Sequence, residues 1–268
     1  MERIKQALER AKQEHAQLGA APLSQVAGAK PGRIPHITYT QTQVCAISAK
    51  QLDEHRVISA QSRADVVAGY KMLRTQILQR MATQGWNTLG ITSTAAGQGK
   101  TLTAINLAIS LARDEQRTVL LGDLDMYRPK VHECFGYSPT FGIGDYFEND
   151  VPLERILFNP GINRLVILPG KGPIPHSSEI LASLKMVRLV REMKARYASR
   201  FVMFDLPPVL SGDDVLAFAP QIDAFLIVIE DCGTEKDELT QTVELLKGST
   251  ILGTVLNKSS ETVRAYYY

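Results

Sequence analysis

Five residues, Gly97-Gln98-Gly99-Lys100-Thr101, stand between the strand-like run at 88–93 and the helix-like run at 102–113, and they restrict the possible folds more than any other stretch of the chain. A strand that turns sharply into a helix aims several backbone N–H groups and the positive end of the helix dipole at one point. Glycines at the turn let a triphosphate approach those groups. The spacing predicts that Gly97, Gln98, Gly99, Lys100, Thr101 and Leu102 hold phosphates, with Lys100 reaching the outer ones and Thr101 holding magnesium.

Two further apolar runs end in acid. Val119-Leu120-Leu121-Gly122 leads into Asp123-Leu124-Asp125, and Phe201-Val202-Met203-Phe204 leads into Asp205-Leu206-Pro207-Pro208. Ligands of parallel sheets collect at the carboxyl ends of strands, so the three segments are expected to deliver their polar groups to one crevice. Taken singly, a glycine turn is only a turn, and an aspartate after a strand is often a helix cap. In this order they point to a nucleoside triphosphate.

The chain has 268 residues, 44% of them hydrophobic, enough for one large domain with an appended arm. Its formal net charge is +2, from Lys+Arg 30 against Asp+Glu 28, which gives no support to a nucleic-acid surface. Cys45, Cys134 and Cys232 lie far apart without metal-ligand spacing, as suits ordinary thiols in a reducing compartment. No apolar run approaches the ~20 residues that span a bilayer, and the N-terminus lacks the order of a secretory signal. The expectation is a cytoplasmic protein with no transmembrane segment of its own, any membrane association coming through a partner.

Residues 1–18 place Ile4, Ala7, Leu8, Ala11 and Leu18 at helical spacing, a modestly amphipathic arm. Residues 19–35 read as a flexible Gly- and Pro-rich linker. A helical stretch is expected from 52 to about 81, with Val66, Tyr70, Leu73, Ile77 and Met81 along one stripe. Strands are expected near Thr88, Thr118, Arg164, Phe201, Ala224 and Thr250, alternating with helices from Leu102, Ser178, Asp213 and Glu235 and a short helix around Lys130. Such alternation demands crossover connections. It predicts an α/β protein: a mainly parallel twisted sheet with helices on both faces, of the P-loop NTPase type, carrying an N-terminal helical arm. The division expected is 1–51 for helix and linker, 52–262 for the nucleotide domain and 263–268 for a tyrosine tail.

Over roughly residue 52 to the C-terminus the chain resembles the bacterial tyrosine kinases, P-loop autokinases that partner polysaccharide chain-length proteins, and especially the stand-alone kinases of exopolysaccharide loci. The resemblance is carried by Ala96 to Thr101, by Asp123-Leu124-Asp125-Met126-Tyr127-Arg128-Pro129, by Asp205-Leu206-Pro207-Pro208, by Val255-Leu256-Asn257-Lys258 and by the closing Tyr266-Tyr267-Tyr268. There are departures. Tyr127 stands where the family has the first of two arginines. Ala68 and Lys71 replace the glutamate and first arginine of a motif that the family uses for ring assembly, leaving Arg74, and Lys does not replace a bidentate Arg.

The resemblance implies an ATP-dependent protein-tyrosine autokinase with Mg2+ as cofactor. Thr101 would bind the metal, Asp205 would act on it through water, and Asp123 would lie close to both metal and nucleophile. Asp123 or Asp125 would accept the phenol proton, and Tyr266, Tyr267 and Tyr268 would be phosphorylated in trans within a homo-oligomer. Arg128 is a candidate phosphate contact, and Asn257 occupies the place where related ATPases set an asparagine near the adenine. The implied partner is a membrane-embedded chain-length or activator protein, and the implied pathway is exopolysaccharide synthesis and export. The alternatives are a ParA/MinD-like ATPase switch without kinase activity and a non-catalytic nucleotide-binding module. Against the switch, Ala95 stands where that group has a lysine, and no basic amphipathic helix closes the chain.

Overall fold

The computed structural model describes residues 42–45, 47–195 and 199–259. The arm at 1–18, the linker at 19–35 and the tail tyrosines Tyr266, Tyr267 and Tyr268 lie outside the described residues. In chain order the elements are β1 (Gln43–Val44), α1 (Ala49–Glu54), α2 (Ala64–Ala82), β2 (Thr88–Ser93), α3 (Lys100–Ala112) and β3 (Thr118–Asp123). There follow α4 (Val131–Cys134), α5 (Ile143–Glu148), β4 (Phe158–Asn159), β5 (Leu165–Leu168), α6 (Ser177–Leu181), α7 (Leu184–Ala195) and β6 (Arg200–Asp205). The last are α8 (Asp214–Phe218), β7 (Ala224–Glu230), α9 (Lys236–Leu245) and β8 (Ile251–Asn257).

The strands form one sheet in the order β1-β4-β5-β3-β6-β2-β7-β8, and every pairing is parallel except β4 with β5. Successive side chains of a strand point to opposite faces. In β3, Leu120 enters one core while Val119 and Leu121 enter the other; in β6, Val202 and Phe204 oppose Phe201 and Met203. Both faces are thus apolar and both are covered, by α6, α7 and α8 on one side and by α2 and α3 on the other. The long continuous apolar strands follow from this double burial.

The helices fit their places. Helix α3 is apolar nearly all round, with Ile105, Leu107, Ala108 and Leu111 each 0% exposed, because it is wedged between the sheet and α2. Helix α7 buries Met186, Leu189, Val190 and Met193 at helical spacing and turns Arg188, Arg191 and Glu192 outward. No helix among the described residues is long and apolar enough to cross a membrane.

The single helix expected from 52 to about 81 is two helices. Ser48 caps α1 through the backbone N–H of Gln51, and the chain leaves that helix at His55 and Arg56, the latter at φ 56. Val57 and Ile58 then dive into the core, where Asn106 of α3 accepts the Ile58 N–H at 2.8 Å and donates to the Arg56 carbonyl at 3.2 Å. A buried segment anchored this way cannot also hold helical hydrogen bonds. The rest of the expected stripe stands in α2, with Ile77 and Met81 buried and Val66 exposed.

Candidate functional site

The turn between β2 and α3 is shaped by two glycines in the left-handed region, Gly97 at φ 85 and Gly99 at φ 93. Gly99 is the N-cap, so α3 begins at Lys100, two residues before the expected start. By helix geometry the first-turn N–H groups of Lys100, Thr101 and Leu102 have no partner within the helix and are available to a ligand. Leu102 adds its side chain to the core beneath.

The Gln98 side chain braces the turn itself. It is 3% exposed, and its Oε1 accepts the backbone N–H groups of Thr94 at 3.0 Å and Ala95 at 3.2 Å. Its Nε2 donates to the Thr94 hydroxyl at 2.8 Å and the Thr234 hydroxyl at 2.9 Å. The amide thus ties the turn into a loop and fastens it to the segment between β7 and α9. Only the backbone of Gln98 is left to face a phosphate.

The acidic strand ends meet this turn. In the parallel register Asp123 is directly opposite Asp205, and Ile91 of β2 is opposite Asp205 on the other side. Lys100 Nζ lies 2.7 Å from Asp125 Oδ2 and 3.6 Å from Asp205 Oδ1. The Thr101 hydroxyl donates to Asp205 Oδ2 at 2.6 Å. Asp123 is fully buried; its Oδ2 accepts the Val131 N–H at 2.9 Å, while its Oδ1 has no hydrogen-bond partner. Asp125 Oδ1 accepts the Arg128 N–H at 3.0 Å.

This is an expensive place for negative charge. Burial, followed by the neighbouring Asp205, pushes the Asp123 carboxyl well above the usual carboxylate range. Burial also raises Asp205, although Lys100 and the Thr101 hydroxyl oppose it. Burial works against charge on Lys100, yet Asp205 and Asp125 outweigh it and hold the ammonium above its ordinary range. One ammonium for three carboxylates leaves Asp123 Oδ1 and Asp205 Oδ1 short of partners. With the Thr101 hydroxyl they form a set of hard oxygen donors, the chemistry that suits magnesium.

Other candidates fall outside this cluster. The Arg128 guanidinium stands over the exposed Tyr127 ring, 5.8 Å from its centroid. Asn257, the last residue of β8, donates from Nδ2 to the Gln98 carbonyl at 2.9 Å. Arg74, the remaining match to the ring-assembly motif, donates to the Ser110 carbonyl at 2.9 Å within the same chain. Gly170 lies in the Gly- and Pro-rich stretch at 161–175. A Cβ there would run into Pro129 and come within 3.6 Å of Asp123 Cγ, so the loop after β5 presses directly on the acidic strand end.

Comparison with known proteins gives this arrangement a family. The model of the CobQ/CobB/MinD/ParA nucleotide binding domain matches residues 89–267. Tyrosine-protein kinase YwqD of Bacillus subtilis is 32% identical over 191 residues, 70% of this chain and 79% of YwqD. The chain belongs to the bacterial tyrosine-protein kinases. It is therefore a P-loop enzyme of the protein-tyrosine kinase class, on the nucleotide-binding fold shared with MinD and ParA. The crystal structure of the chimerical protein CapA2B2 superposes with a TM-score of 0.71 at 25% identity, covering 82% of this chain and 94% of that one. The succinoglycan biosynthesis transport protein ExoP of Rhizobium meliloti is 26% identical over 262 residues, 91% of this chain but 32% of ExoP.

Proposed function

We propose that this tyrosine kinase transfers the γ-phosphoryl group of Mg-ATP to Tyr266, Tyr267 and Tyr268 of a second copy. The observation that carries the reading is the meeting of Lys100, Thr101, Asp123, Asp125 and Asp205 at adjoining strand ends. The backbone N–H groups of the 97–102 turn hold the phosphates, and Lys100 moves from Asp125 onto the outer ones. Bound magnesium supplies charge neutralisation; Thr101, Asp205 and Asp123 would hold it.

The acceptor phenol oxygen forms a bond to the γ-phosphorus while ADP leaves with the electrons of the broken P–O bond. The phenol proton passes to Asp123 or Asp125. A phenol with a pKa near ~10 yields its proton to a carboxylate only weakly, so alignment beside the phosphate contributes more than proton removal. Transfer in trans would bring Tyr266, Tyr267 and Tyr268 of one copy to the active site of another, where an assembly supplies a high effective concentration. A fully modified tail would carry about −5 of charge and repel its equivalents, releasing the assembly.

The same reading gives the chain a cytoplasmic place beside a membrane-embedded chain-length or activator protein in exopolysaccharide synthesis and export. The motif resemblance and the likeness to ExoP support it. Purified protein mixed with labelled ATP and magnesium tests the function. Label on the C-terminal peptide is the expected result. Free phosphate alone would make the chain a MinD-like switch, and neither product would make it a binding module.

A further inference from the structure

The phosphate cradle is held from an unexpected direction. Asn257 ends β8, and its side-chain Nδ2 donates to the backbone carbonyl of Gln98 at 2.9 Å. The same nitrogen lies so close to Gly99 that a Cβ there would collide with it. Behind Asn257, its own carbonyl accepts the Asp231 N–H at 2.9 Å, which fixes the strand end to the segment after β7. That segment also holds the Gln98 side chain through Thr234, whose hydroxyl accepts the Glu230 N–H at 2.8 Å.

A peptide unit is planar and trans, so its C=O and N–H point in opposite directions. The carbonyl of Gln98 and the N–H of Gly99 belong to one such unit. Pulling the carbonyl toward Asn257 turns the Gly99 N–H the opposite way, into the turn where the phosphates are expected. Gly99, at φ 93, has a backbone free enough to flip if that carbonyl is released. We infer that Asn257 is a positioning residue of the phosphate cradle, acting through the Gln98 carbonyl to aim the Gly99 N–H at the triphosphate. This rests on the reading of residues 97–102 as the triphosphate site.

A residue that reads adenine and a residue that sets the cradle differ in one respect: inorganic tripolyphosphate has no base. Calorimetric titration of wild type, Asn257→Ala and the near-isosteric Asn257→Leu with Mg-ATP and with Mg-tripolyphosphate separates the two. Melting curves of each variant show that folded protein is being compared. The expected result is that both variants bind both ligands more weakly by the same factor, about five- to tenfold, the size of one lost neutral hydrogen bond. Weakening of Mg-ATP alone would overturn the inference and make Asn257 a base contact, leaving the cradle reading intact. Unchanged binding of both ligands also overturns it. Failure of the wild type to bind either ligand removes the cradle reading itself and the inference with it.

Discussion

Asp123 shows most clearly what this site costs. A carboxylate with 0% exposure, one backbone hydrogen bond and Asp205 opposite is strained by its own charge. Replacing it by Asn removes that charge from a buried place. Asp123→Asn is expected to raise the melting temperature of nucleotide-free protein by on the order of a few degrees while abolishing phosphoryl transfer. Thermal unfolding and a labelled-ATP assay on the same sample check both halves. Gln98 gives the opposite case. Gln98→Leu leaves the buried N–H of Thr94 and the half-buried N–H of Ala95 without their acceptor, so it is expected to lower stability by about 2 kcal/mol in urea titrations and to weaken Mg-ATP binding. The motif marked Gln98 for its backbone at the turn and said nothing of its side chain. A five-residue pattern fixes backbone chemistry at the turn, whereas the amide's partner Thr234 is distant in sequence and its bond arises only when β7 is laid beside β2.

At the scale of elements, the joint between α1 and α2 depends on one side chain. Asn106 satisfies both the Ile58 N–H and the Arg56 carbonyl where the chain enters the core. Asn106→Leu keeps the volume and leaves both groups unpaired; it is expected to cost about 1–3 kcal/mol, seen as a lower urea midpoint with an unchanged slope. Periodicity could not show this joint, because Leu52 and the Val66–Met81 stripe fit one helical pattern and the polar residue that breaks it lies in α3. The strands ending in acid were legible for a physical reason: burial on both faces makes them continuous apolar runs, and the change to Asp at their ends is abrupt. The two-residue strands β1 and β4 carry no such run, and their pairing comes from packing at the sheet edge.

Across the whole molecule, the opposite end of the sheet has its own half-buried carboxylate. Burial pushes Asp223 up, but the Thr88 hydroxyl, the N–H groups of Asn87 and Thr88, and Lys194 together hold it below its ordinary value of 3.8. A depressed acid contributes stability above its unfolded pKa and loses it as pH falls through the folded one. Asp223→Asn is therefore expected to destabilise the protein at pH 7, and the gap between variant and wild type should close as the pH falls below about 4. Urea unfolding across that range measures it. The anchored end thus holds the strands in register while the other end gathers the charged groups of the site, and the fold that joins them was readable from the βα alternation alone.

The most direct test of the account pairs two copies of the chain. Lys100→Met protein, with its tail intact, serves as acceptor; protein with an intact site but lacking residues 263–268 serves as donor. After incubation with Mg-ATP, the mass of the acceptor's C-terminal peptide is measured. The account predicts added phosphoryl groups on that peptide in the mixture and none when the acceptor is incubated alone. An unmodified peptide in a mixture whose donor consumes ATP would contradict it.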